Sequence, residues 1–143
     1  MILAYRGLPV LPSVPLAEEC VQAGGYVRND DHVDGLFYRP FARWIESRFA
    51  ISATVLPDVS AALIRTCIDR GDLAMISVHP WIRWHERMPP KRGGHLVLVT
   101  GTGHGYVQFH NPSGLPGQNQ EHARIPVGTL NRFYAGRAIL IHP

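Results

Sequence analysis

The sequence predicts an α+β fold in which N-terminal helices pack on a mostly antiparallel sheet. Three observations carry this. Apolar residues in the first half recur at helical spacing, most clearly Phe41, Trp44, Ile45 and Phe49 at i, i+3, i+4 and i+8. From Leu73 onward the pattern changes to short apolar runs bounded by Pro and Gly. Two of those runs, 95–101 and 105–111, are separated only by Thr102-Gly103-His104, a loop length that joins antiparallel strands.

The elements follow in order. Residues 1–5 are helix-prone and stop at Arg6-Gly7. They are apolar from the first residue and lack an N-cap, so they read as the last turns of a helix whose beginning is absent. Pro9 and Pro12 mark a loop. A short helix follows, with Pro15 in its first turn, Leu16 and Cys20 on one face, and Gly24-Gly25 beyond its end. Asn29-Asp30-Asp31-His32 is a polar turn, and Pro40 opens the helix of the apolar stripe. Residues 51–55 alternate weakly as a strand. Asp58 is positioned to cap a helix over 59–70 whose Val59, Ala62, Leu63 and Cys67 share a face, with Gly71 ending it. Strands are expected over 73–78, 95–100, 106–110 and 137–141. A long aromatic loop spans 79–90, a second loop 111–120, and a short helix 129–134.

Composition narrows the function classes. With 143 residues the chain is one domain with a single sizeable core. At 45% hydrophobic and 17% charged residues it is globular and not disordered. Its pI is about 9.2 but its formal charge only +3, and Lys and Arg are scattered. No basic stripe marks a nucleic-acid surface. Lys91-Arg92 is a solvated loop with a weak attraction for acidic peptides. Cys20 and Cys67 do not form a disulfide framework and read as small core residues on helix faces. The first seven residues are too short for a signal peptide, and no apolar run approaches transmembrane length. The expectation is a soluble, cytoplasmic protein without a membrane partner.

The chemistry concentrates on one pair. With Gly101 opposite Gly105, partner numbers in the hairpin sum to 206, so Val99 faces Val107, Val97 faces Phe109, and His95 faces Asn111. Opposed side chains share a face, with Cβ atoms roughly 4.5–5.5 Å apart. An imidazole beside an amide oxygen is a useful constellation. The oxygen accepts the proton of one ring nitrogen and leaves the other as a base; a Cys-His-Asn triad works in this way. Gly93-Gly94 before His95 allows close approach of another segment. The alternative is a hydrogen-bonded structural pair at a strand end.

The stretch Gly93-Gly94-His95-Leu96-Val97-Leu98-Val99-Thr100-Gly101, with His110-Asn111-Pro112-Ser113-Gly114 after it, resembles the papain-like cysteine peptidases that cut double-glycine leaders from bacteriocins. Asp34-Gly35-Leu36-Phe37-Tyr38-Arg39-Pro40-Phe41-Ala42, residues 71–80 and Phe133-Tyr134-Ala135-Gly136-Arg137 extend the likeness along the chain. The resemblance implies a papain-like fold over residues 1–143, a peptide or protein substrate, no cofactor, His95 as catalytic histidine, and Asn111 where that branch usually has Asp. It also implies a nucleophilic Cys at the start of the first long helix, about two turns upstream of Met1. Cys20 and Cys67 do not match that position.

Other signals were weighed. Trp81 and Trp84, with Arg83 and Arg87, would line a peptide groove beside His95 and Gly94, or else cap the sheet. His79, His85, His104 and His110 lack the spacing of a metal site. Gly101-Thr102-Gly103-His104-Gly105 mimics a nucleotide loop, but no helix follows it. The leading expectation is a cysteine-peptidase domain truncated in its catalytic helix. The competing ones are a non-catalytic peptide-binding domain, with an apolar slot open to a partner or dimer mate, and a metal-dependent hydrolase.

Overall fold

The computed structural model describes residues 1–30, 32–33 and 35–143, with the backbone alone for His32 and Val33. Its elements are α1 (Ile2–Tyr5), α2 (Ser13–Gln22), β1 (Arg28–Asn29), β2 (His32–Val33), α3 (Tyr38–Phe49), β3 (Ala53–Leu56), α4 (Ala61–Asp69), β4 (Leu73–Val78), a 3-10 turn (Pro80–Trp84), β5 (His95–Gly103), β6 (Tyr106–His110), β7 (Ala123–Pro126), α5 (Val127–Phe133) and β8 (Tyr134–Ile141). Of the polar turn expected at 29–32, Asn29 and His32 pair as strand residues of β1 and β2, and Asp31 lies outside the described residues, as does Asp34.

β3-β8-β4-β5-β6-β7 form one six-stranded sheet, and every neighbouring pair is antiparallel. The fold is therefore α+β. Strand alternation sends side chains to two faces, and both are covered. On one face Ala74, Ile76, Val97, Val99, Val107 and Phe109 pack with Ile64 and Ile68 of α4 and Leu130 and Phe133 of α5. On the other, Leu73, Leu98, Ile139 and Ile141 pack with Cys20 of α2 and Phe41 and Ile45 of α3, and Ile2 and Leu3 of α1 join them. This accounts for the continuous apolar runs 73–76, 96–99 and 138–141 within β4, β5 and β8: segments buried on both faces cannot alternate with polar residues.

The helix at 59–70 is shorter and rotated from its expected setting. Ser60, not Asp58, caps it, its hydroxyl accepting the Leu63 N–H at 3.2 Å. Val59 is held outside the helix because its N–H donates to Gly136 O at 2.8 Å and its carbonyl accepts the Tyr134 hydroxyl at 2.9 Å. The buried face is consequently Ala61, Ile64 and Ile68, while Leu63 is 51% exposed. β7 was not expected. It is a four-residue edge strand ending in Pro126, with Ala123 and Ile125 turned inward.

Candidate functional site

β5 and β6 pair differently from the expected register. The turn is one residue shorter, with Gly103 opposite Tyr106. Thr102 faces Val107, Gly101 faces Gln108, and then Val99 faces Phe109 and Leu98 faces His110. Thr100 is the extra residue of a β-bulge between Val99 and Gly101. His95 and Asn111 are therefore diagonal neighbours and not directly opposed. The bulge matters for chemistry. Without it, the pairing set by the turn would turn His95 and Asn111 to opposite faces.

The two side chains meet: His95 Nε2 lies 2.8 Å from Asn111 Oδ1. The same oxygen accepts the Ser113 backbone N–H at 3.1 Å. Because that N–H can only donate, the amide atom facing it is the oxygen, and His95 Nε2 must carry the hydrogen it shares. In the neutral ring Nδ1 is then the nitrogen without a hydrogen. Asn111 itself is 1% exposed, and its backbone N–H donates to Gln120 O at 2.8 Å. Its Nδ2 is buried without a partner among the described residues. The amide is thus fixed by its oxygen and its backbone.

Gly93 and Gly94 deliver the chain to His95 at φ of +79° and +95°, a conformation that L side chains rarely adopt. At Gly93 a Cβ would also lie 3.0 Å from both Ala135 Cβ and Arg137 Nη2, and 3.1 Å from Ser77 Oγ. A cavity of about 770 Å³ opens beside the pair. Gly94 and His95 line it together with Tyr38, Val55, Ser77 and Arg137.

Trp81 and Trp84 are not among the residues that line this cavity. Trp81 packs against the core under the sheet and meets the His79 ring edge-on, the centroids 5.4 Å apart. The guanidiniums of Arg83 and Arg87 lie 4.8 and 5.0 Å from the Trp84 ring centroid. The aromatic loop folds inward because His79 caps it, its Nδ1 accepting the Trp81 N–H at 3.2 Å. Burial, then Lys91, lowers the His79 pKa, consistent with that acceptor role.

Both cysteines are free thiols. Cys20 is 2% exposed, and burial pushes its thiol up to about 11. Cys67 is half-buried on α4, packed against the core of the opposite sheet face. Neither lines the cavity at His95.

Two further histidine arrangements were not anticipated. Tyr5 of α1 bonds His110 Nε2 through its hydroxyl at 2.9 Å, and the His122 ring lies edge-on to His110 at 4.6 Å. Met1, Tyr5, His110 and Asn111 line a second cavity of about 410 Å³. At the other side of the sheet His142 links Thr54 Oγ1 and Asp72 Oδ1, each at 2.8 Å. All of these contacts join residues far apart in sequence, which no local pattern reveals. Among the described residues, no three His, Cys, Asp or Glu side chains are grouped to hold a metal ion. No helix of the described residues is long and apolar enough to cross a membrane. The sequence matches no protein-family model and no curated protein at a significant level.

Proposed function

We propose that this is a papain-like cysteine-peptidase domain that hydrolyses peptide bonds, with His95 as general acid–base and Asn111 as the residue that orients it. The carrying observation is the 2.8 Å contact from His95 Nε2 to an amide oxygen whose identity is fixed by Ser113 N–H. In this reading a cysteine supplied by chain upstream of Met1 is the nucleophile. His95 Nδ1 takes the thiol proton as sulfur attacks the substrate carbonyl carbon, then returns it to the leaving amine. Water hydrolyses the resulting thioester with the same nitrogen acting as base. Two features support an upstream nucleophile. Neither the buried Cys20 nor the half-buried Cys67 lines the His95 cavity, and Met1, which precedes α1, lines the second cavity with Asn111. Two free thiols suit a reducing compartment such as the cytoplasm.

The test is peptide cleavage by the chain extended at its N-terminus with its own upstream residues. Cleavage after a small pair such as Gly-Gly is expected. His95→Ala should reduce it by about 10²–10⁴-fold, and Asn111→Ala by at least about tenfold. Full activity in His95→Ala would overturn the mechanism. The second reading is a non-catalytic peptide-binding domain, favoured by the absence of a placed thiol at the cavity. An extended chain that binds peptides without cleaving them would establish it.

A further inference from the structure

The cavity beside His95 carries a charge pattern that the acid–base pair does not use. Two arginines line it, Arg39 from α3 and Arg137 from β8, and among the described residues none of its lining is acidic. The rest of the lining is largely apolar, including Leu36, Tyr38 and Val55. Among the described residues neither guanidinium makes an ion pair. Asp58, which follows Pro57 of the lining, forms none with Arg137. Arg137 is also held close to the chemistry. A Cβ on Gly93, two residues before His95, would stand 3.0 Å from its Nη2. A planar fork of N–H donors in that position matches a carboxylate.

On this basis, and resting on the peptide-cavity reading above, we propose that Arg137 and Arg39 form a carboxylate-binding subsite, so that the preferred ligand is a peptide with an apolar residue next to a carboxylate. The carboxylate is either an Asp or Glu side chain or the free C-terminus of the peptide. Two exposed cations on the wall of one largely apolar cavity favour an anion, disfavour a basic peptide, and speed encounter with acidic ones. Arg137 serves specificity here and takes no part in proton transfer.

The experiment measures fluorescence anisotropy of labelled peptides binding to the 143-residue chain at low ionic strength. Three peptides share one apolar sequence: a Glu peptide amidated at its C-terminus, its amidated Gln twin, and the Gln twin with a free C-terminus. The subsite requires one carboxylate-bearing peptide to bind about tenfold more tightly than the amidated Gln peptide. The tighter of the two identifies the source of the carboxylate. Arg137→Gln and Arg39→Gln should each erode the preference, read as the ratio of the affinities for the carboxylate-bearing and amidated Gln peptides. Arg137→Glu should move the preference to a Lys peptide. Equal binding of all three peptides, no binding of any, or a preference that survives both Gln variants would overturn the proposal. Binding is read separately from cleavage. A carboxylate preference without cleavage by the extended chain removes the peptidase reading and keeps the subsite; cleavage without a preference does the reverse.

Discussion

Asn111 Oδ1 accepts two hydrogen bonds at once, from His95 Nε2 at 2.8 Å and from the Ser113 N–H at 3.1 Å. The second bond gives the first its meaning, since it orients the amide and thereby decides which ring nitrogen is protonated. The loop after β6 is therefore part of the site. Asn111 N–H closes on Gln120 O, and Asn119 Nδ2 ties the same loop to Arg83 O at 2.7 Å.

Gly114→Ala tests that loop. A Cβ at Gly114 would stand 2.4 Å from Asn119 O and 2.5 Å from Gln120 Cα, both backbone atoms that must move. Overpacking of this kind costs about 1–3 kcal/mol. Urea unfolding should show that loss. Cleavage by the extended chain should fall further than stability alone explains, because Gln120 anchors Asn111. Unchanged stability and cleavage would show that the loop accommodates the methyl group and does not position the pair.

The cysteines should behave as packing residues. With the Cys20 thiol pushed up to about 11 by burial, roughly one in a thousand is thiolate at pH 8. Native alkylation at that pH, read by peptide mass mapping, should leave Cys20 unmodified until the protein is denatured. Cys20→Ala and Cys67→Ala should retain peptide cleavage by the extended chain. Loss of cleavage in either variant, with the fold intact, would reassign the nucleophile.

Stability should fall on mild acidification. Burial lowers the His110 pKa, His122 and the Met1 amino group lower it further, and Glu121 opposes them. The folded state therefore resists the proton that the unfolded chain accepts near pH 6.5. The stabilisation is complete above that pH and is lost progressively as pH falls from there to the lower folded pKa; His79, also lowered, acts in the same direction. Thermal melts at pH 7.5 and 5.5 should show a lower Tm at the acid end. His110→Gln, which keeps an acceptor for the Tyr5 hydroxyl, should reduce that difference. An identical drop in the variant would remove His110 from the cause.

The α+β plan was legible because burial on both sheet faces writes continuous apolar runs into β4, β5 and β8, and because Phe41 and Ile45 repeat at helical spacing. The His95–Asn111 pair was legible for a subtler reason. The true turn displaces the expected partner sum by three, the Thr100 bulge takes one back, and the net shift of two preserves the face. Neither the bulge nor β7 has a strong local signature: Thr100 is an ordinary strand residue, and Ala123–Pro126 is short and ends in proline. The sequence left Trp81 between a groove and the sheet because its setting depends on His79 capping the following turn and on core contacts distant in sequence. The Arg39–Arg137 juxtaposition joins α3 to β8 across nearly the whole chain, and only the fold brings the two to one cavity.

The assignment of His95 as an oriented base is tested most directly by nitrogen-15 NMR of its ring in the 143-residue chain. The neutral ring should carry its proton on Nε2, protected from solvent exchange, and Asn111→Ala should abolish that protection. A ring protonated on Nδ1, or an Nε2 proton that exchanges equally fast with and without Asn111, would contradict it.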